Sequence, residues 1–391
     1  MRHVSLFVFL IALCLAPARA ETLRQALDAA TARAPQAQWL ATRQQESAAR
    51  RQVADSLLAG APVLGVGQRE GDRGRSEFEL ELAAPLWLPG QRQASVALAD
   101  AQAAENSAAQ AAQRLALAGE LREAVAALRA ARAELDLLRA HAEFDRRLAE
   151  EVARRVTAGD LARSDLLLAR NEALAAEVAA LEADSRVAQA SQRYQALTGL
   201  EALPSDADEP LAPPPAAHPL VASLEHKAAQ AHAGLELARR TRGEPVELGV
   251  QYQHSRDING SPFQDSVRVG VRIPFSGERR NRPALAAANS AWVQAEAELR
   301  QIQAELETQQ RAARAVLGYA ERAAELGQAR QQAADEHLRL IRKGFALGEL
   351  SLAQLLLSQR QQREAESAAV QAHLALLAGR AHLNQVLGVL P

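Results

Sequence analysis

Glu77-Phe78-Glu79-Leu80-Glu81-Leu82 is the stretch that decides the fold of this 391-residue chain. Acidic and apolar residues alternate with period two, so a strand built from it has one apolar and one polar face. Three other stretches repeat the pattern. Leu64 and Val66 alternate with Gly65 and Gly67. Leu248, Val250 and Tyr252 alternate with Gly249, Gln251 and Gln253. Val267, Val269, Val271 and Ile273 alternate with Arg268, Gly270 and Arg272. The pattern predicts strands over about 62–69, 75–84, 246–254 and 265–274. Each has the length of a tilted strand crossing a bilayer, about 9 or 10 residues. The segments between them, Arg69 to Arg75 and His254 to Asp265, are polar and read as exposed hairpin turns. A soluble, half-buried sheet is the alternative for the strands taken alone. Four strands cannot close a barrel around a lumen, and lipid tolerates no open sheet edge. The membrane reading therefore requires several chains to share one barrel.

Outward from the strands the chain is written twice. Ala158-Gly159-Asp160-Leu161 through Leu168 matches Leu347-Gly348-Glu349-Leu350 through Leu357 at an offset of 189 residues. Gly199 and Gly388 keep the same offset, as do Pro85 and Pro274, each read as opening a turn. The first repeat covers 21–200 and the second 220–391. Each runs helix, strand–loop–strand, long helix, glycine turn, helix. The opening helices are expected at Thr22 to Leu58 and Leu220 to Arg242, and the long ones at Gln91 to Thr157 and Arg279 to Lys343. Between the repeats, 201–219 holds Pro204, Pro210, Pro213, Pro214, Pro215 and Pro219 and reads as a linker. A helix of over 60 residues reaches roughly 100 Å, too long for a globular domain. In the first long helix Leu121, Val125, Leu128 and Leu135 form a seam that Arg132 interrupts. Such narrow apolar stripes suit a one-layer wall; an ordinary antiparallel coiled coil is the alternative that helices alone leave open.

The composition agrees. Hydrophobic residues make up 48% and aromatics only 3%, which argues against a thick globular core. A net charge of −2 argues against a nucleic-acid binder. Residues 1–20 read as a signal peptide: Arg2 and His3, an apolar run from Val4 to Leu15, then Ala18-Arg19-Ala20 before Glu21. Cleavage removes Cys14, the single cysteine, along with Arg2 and Arg19. Leu13 before Cys14 is unlike a lipoprotein signal. No later run is apolar enough for a membrane helix, so insertion must use strands. No H-E-x-x-H, P-loop or G-x-S-x-G pattern occurs, and no histidine lies three or four residues from another. No enzyme activity, cofactor or strong metal site is expected; the remaining histidines read as lone surface residues.

The duplicated Gly159-Asp160-Leu161…Asp165-Leu166-Leu167 and Gly348-Glu349-Leu350…Gln354-Leu355-Leu356 turns, with the strand ends before Pro85 and Pro274, resemble the outer membrane efflux protein family, the TolC-like channels. The resemblance covers essentially the whole mature chain. It implies a mainly α fold with a β-barrel portion. Three protomers give four strands each to a 12-stranded outer-membrane barrel, standing on a periplasmic α-helical barrel. The Leu88-Pro89-Gly90-Gln91-Arg92 turn is similar to that of the CzcC-like branch, which serves heavy-metal exporters of the resistance–nodulation–division type. The chain departs from that branch in having no His- or Cys-rich tract.

Two sets of residues carry the functional reading. The resemblance implies that Gly159, Asp160, Leu161, Gly348, Glu349 and Leu350 lie at the periplasmic tip and meet the adaptor. The glycines are needed for chain reversal whatever the function. On the polar strand faces, Glu77, Glu79, Glu81, Arg268 and Arg272 are expected to line the lumen; simple cross-strand pairing is the plainer role. The expected function is a passive trimeric exit duct working with a periplasmic adaptor and an inner-membrane pump, with heavy-metal cations as cargo. Drug efflux and type I secretion are the alternatives within the class. A non-pore periplasmic scaffold or adaptor is the alternative from a different class.

Overall fold

The computed structural model describes residues 22–241, 244–258, 260–275 and 278–391, apart from the side chains at 37, 38 and 278. The expected signal peptide lies outside the described residues. The first repeat runs α1 (Leu23–Arg33), α2 (Pro35–Ala54), β1 (Val63–Gly71), β2 (Arg75–Leu86), α3 (Gln91–Ala158) and α4 (Arg163–Thr198). The second runs α5 (Pro219–Arg240), β3 (Val246–Arg256), β4 (Gln264–Arg272), α6 (Glu278–Ala346) and α7 (Leu352–Val386).

The expected first helix is in fact two. Ala34 stands before Pro35 with an extended ψ of 125°, the conformation that a following proline imposes, and Pro35 opens α2. Proline also corrects a second expectation. Pro85 opens no turn but lies inside β2, paired with Glu247, and its carbonyl accepts from Ala59 N–H at 3.0 Å. Pro274 does follow its strand. The hairpin turns are tighter than expected: β1 runs on to Gly71, and one 3-10 turn at Asp72–Gly74, with Arg73 at φ 64°, returns the chain.

The repeat is plain in the backbone. Gly159, Gly348, Gly199 and Gly388 have φ of 86°, 78°, 74° and 80°, so all four equivalent glycines sit in the left-handed region. The caps beyond the turns also match. Asp165 accepts from Ala162 N–H at the start of α4, and Gln354 accepts from Ser351 N–H at the start of α7.

The 68 residues of α3 and 69 of α6 give rods of roughly 100 Å. Lengthwise, α3 packs on α4, α6 on α7, and α3 on α7, while α5 bridges α3 and α6. The row α4–α3–α7–α6 is one layer thick. Apolar packing comes in local clusters along it. Leu27, Leu121, Leu128 and Tyr194 form the main one, where α1 covers α3 and α4. Arg132 is exposed, and Ala131 takes the inward place in the seam. Burial pushes the Tyr194 phenol up, and its hydroxyl donates to Ala202 O at 3.1 Å.

The linker is a strap rather than a loose tether. Residues 201–218 hold no helix or strand, but Asp206 accepts from Leu23 N–H at 2.6 Å at the start of α1. Glu209 takes Arg122 of α3 in a two-pronged pair at 2.8 and 2.6 Å. Arg122 also donates to Gln385 of α7 and to Val389 O at 3.1 Å. This cluster ties both repeats to the strap.

Candidate functional site

The four strands form one antiparallel sheet in the order β1-β2-β3-β4. Register sorts the side chains by face. Gly65, Glu81, Gln251 and Arg268 lie side by side, as do Gly67, Glu79, Gln253 and Ser266. Leu64, Leu82, Val250 and Val269 form an adjacent row on the other face, followed by Val66, Leu80, Tyr252 and Val267. That second face is exposed across all four strands, with Val267 and Val269 at 69% and 67%. An apolar face of this extent, uncovered by any element among the described residues, is foreign to a soluble sheet. β1 and β4 are edges, with one row of backbone donors and acceptors each left open.

Glu77, Glu79, Glu81, Arg268 and Arg272 do share the polar face. Arg272 donates to Glu247 at 2.7 Å and to Glu81 at 3.4 Å. Glu77 accepts from Gln253 and lies 3.6 Å from Arg69. Arg268 reaches Gln251 at 3.4 Å. Glu79 has no ion-pair or hydrogen-bond partner among the described residues. Cross-strand pairing thus accounts for most of these charges and leaves Glu79 free.

At the far end of the rods the two glycine turns come together. The N–H groups of Gly159 and Asp160 donate to Val156 O and Arg155 O, and those of Gly348 and Glu349 to Phe345 O and Gly344 O. Each turn therefore satisfies its last helical carbonyls in the same way. Leu148, Val152, Ala169, Phe345, Leu352 and Leu355 form one buried cluster from all four helices. Of the expected docking residues, Gly159, Asp160, Gly348 and Glu349 are exposed. Leu161 packs against the tip cluster, and Leu350 lies against Gly344. The two leucines hold the tip together, and the acids present it to solvent.

Sequence reasoning missed the polar contacts between the repeats. Asp145 of α3, 2% exposed, accepts from Gln359 at 2.6 Å and pairs with Arg363, both on α7. His141 meets Glu366 at 2.9 Å. These partners are more than 200 residues apart, and no local spacing marks them. Among the described residues no group of three or more His, Cys, Asp or Glu is placed to hold a metal ion, and no helix is long and apolar enough to cross a membrane.

Residues 67–200, from β1 to just past α4, match the family model of the outer membrane efflux proteins. No curated protein matches the chain. Solved structures share its fold along nearly its whole length. CusC, whose structures concern folding and transmembrane channel formation, is 17% identical with a TM-score of 0.77, covering 95% of this chain and 92% of its own. The outer membrane protein VceC of Vibrio cholerae is 14% identical with a TM-score of 0.73, covering 94% and 96%. The open outer membrane channel MtrE of Neisseria gonorrhoeae is 17% identical with a TM-score of 0.73, covering 94% and 89%. The chain thus resembles the outer membrane efflux proteins in sequence from β1 to α4, and shares the fold of these channels along nearly its whole length.

Proposed function

We propose that three copies of this chain form a passive exit duct through the outer membrane and across the periplasm. The observation that carries this is the sheet: an exposed apolar face on all four strands, with the outer edges of β1 and β4 open, joined to a one-layer wall of roughly 100 Å helices. In lipid the open edges must be paired, and three copies supply 12 strands, enough for a lumen. The polar face then lines that lumen, with Glu79 as its free carboxylate. The chain has no nucleotide motif, so a pump in the inner membrane supplies the energy and a periplasmic adaptor joins the two. Fractionation followed by mass measurement in detergent tests the assembly: a trimer in the outer membrane is expected, and a soluble monomer overturns the proposal.

The adaptor meets the tip at Gly159, Asp160, Gly348 and Glu349, supported by their exposure and by their position opposite the sheet. Site-specific cross-linking from 158–163 and 347–352 captures the adaptor on this reading. Capture only from the Arg69 to Arg75 hairpin places the tip at the wrong end. Heavy-metal cations are the proposed cargo, supported by the Leu88 to Arg92 turn and by the exposed acids at the tip, which favour cations. Metal sensitivity of a deletion strain is expected; drug sensitivity without it overturns the cargo assignment.

A further inference from the structure

At the hairpin end of the sheet the apolar face closes in a stack of side chains. The Phe263 ring lies against the His254 imidazole, centroids 4.4 Å apart and planes 8° from parallel. The Arg256 guanidinium also sits on Phe263, 4.9 Å from its centroid, and its Nε donates to Gly74 O at 3.3 Å. These contacts fix the guanidinium plane. Its two terminal nitrogens have no hydrogen-bond or ion-pair partner among the described residues, so their N–H donors are unspent. None of the nearby described carboxylates pairs with Arg256. Asp265 lies 2.6 Å from His254 Nδ1 and accepts from the Tyr252 hydroxyl at 2.8 Å. Glu70 accepts from Gln68 at 3.3 Å, and Asp257 is exposed.

Register puts this stack on the lipid side. His254 lies beside Phe78 and Arg256 beside Ser76, and both keep the parity of the Tyr252–Leu80 row, so they belong to the apolar face. The hairpins end the sheet on the side away from the long helices, which is the outer leaflet when the rods stand in the periplasm. β3 runs 11 residues from Val246 to Arg256, roughly 25 Å of height at a tilt of about 40°, and the apolar band of a barrel is about 25 Å tall. With Val246 at the inner boundary, Arg256 reaches the outer one, where headgroups begin. Phe78, Ile258 and Phe263 are exposed around it.

We propose that Arg256 is the phosphate-binding residue of a lipid site on the outer leaflet. Its guanidinium takes the headgroup phosphate, and the acyl chains of the same lipid lie on the apolar face beneath it. This rests on the membrane-spanning sheet proposed above and names the ligand that its rim takes. A guanidinium fork matches a phosphate in charge and geometry. Stacking on Phe263 and the bond to Gly74 hold the fork ready, so little side-chain freedom is lost on binding. A soluble anion would use the fork but not the apolar face below it. Only a lipid uses both, and the two are continuous through His254, Phe78 and Tyr252.

Native mass spectrometry of the detergent-purified protein tests this with three probes. Dioleoyl phosphatidate has phosphate and chains, dioleoylglycerol has only the chains, and inorganic phosphate has neither chain. Phosphatidate is expected to bind the trimer, and the other two far more weakly. Equal binding of dioleoylglycerol removes the phosphate contact, and equal binding of inorganic phosphate removes the lipid; either overturns the proposal. Arg256→Gln is expected to weaken phosphatidate binding roughly tenfold or more, the worth of a charge-assisted pair. Arg75→Gln, next to Ser76 but on the polar face, is expected to leave it unchanged. Unchanged binding in Arg256→Gln, or an equal loss in Arg75→Gln, overturns the assignment to Arg256. Arg256→Lys keeps the charge without the fork and is expected to bind with intermediate strength. Should the Gln variant fail to assemble, native-strength binding in the Lys variant overturns the site. A trimer that takes up no phosphatidate overturns this site and leaves the duct standing, whereas a soluble monomer overturns the duct itself.

Discussion

The guanidinium of Arg155 stacks on Phe345, 4.8 Å from the ring centroid, and donates to the carbonyl oxygen of the same residue at 3.3 Å. Arg155 ends the long helix of the first repeat and Phe345 that of the second, so one side chain joins the two turns that form the tip. Arg155→Ala removes a contact worth about 0.5–2 kcal/mol. The tip is expected to loosen locally, with faster amide exchange over 345–350 and an unchanged melting temperature. Unchanged exchange there would mean that the leucine cluster alone sets the tip.

The equivalent glycines differ in their surroundings, and substitutions should separate them. A Cβ on Gly348 meets nothing within 4 Å, whereas one on Gly388 comes within 2.7 Å of His218 and 2.9 Å of Pro219. Gly348→Val carries only backbone strain, of order 1–3 kcal/mol. It is expected to give folded trimer that no longer docks the adaptor and so loses efflux. Gly388→Val adds overpacking of about another 1–3 kcal/mol against a rigid ring, and is expected to cut the yield of folded protein. Equal yields would be evidence against this packing.

Val269 lies on the exposed apolar face and Glu79 on the polar one. Val269→Arg is expected to impair membrane assembly, since Arg facing mid-bilayer lipid costs about 2–4 kcal/mol. Glu79→Gln should assemble normally, because its side chain keeps its water. Heat-modifiable trimer bands on gels report both; equal assembly would invert the face assignment.

The Arg122–Glu209 pair is almost wholly buried, with side-chain exposures of 5% and 9%. Arg122→Ala leaves a buried carboxylate without its partner, a loss of about 3–5 kcal/mol. The Pro-rich strap should then become open to proteolysis between 201 and 218. A strap that stays resistant would show that Asp206 and Asn384 suffice to hold it.

His218 caps α5, its Nδ1 accepting from Leu220 N–H at 3.2 Å, and burial pushes the imidazole down from its ordinary value. Its unfolded form therefore takes up a proton first as pH falls. Stability from this site is full above the unfolded value of about 6.5 and declines as pH drops below it toward the folded value. His218→Asn keeps a capping side chain but does not titrate. Between pH 7.5 and 5.5 the native chain is expected to lose more thermal stability than this variant; equal losses would remove His218 as a cause.

Local pattern was enough for the elements. Period-two alternation placed four strands within about three residues of their ends, because each face meets a different medium. The seven-residue seam and the glycine turns placed the long helices within about three residues of their ends, because a helix of that length needs no distant partner to be recognised. The duplication showed through because the same turn chemistry, Gly159 or Gly348 followed by an acid and a leucine, solves the same reversal twice. Where proline acts through its neighbours the reading slipped: Pro35 broke a helix expected to be continuous, and Pro85 stayed inside a strand.

Only the tertiary structure decided which charges meet. Arg122 with Glu209, Asp145 with Arg363 and His141 with Glu366 pair across distances in sequence that no periodicity spans. It also divided the two glycine turns, packing Leu161 against the tip cluster and Leu350 against Gly344, both half-buried, while leaving Asp160 and Glu349 exposed. A turn sequence specifies the backbone it needs. Which of its side chains faces outward depends on where the second turn, 189 residues later, comes to rest beside it.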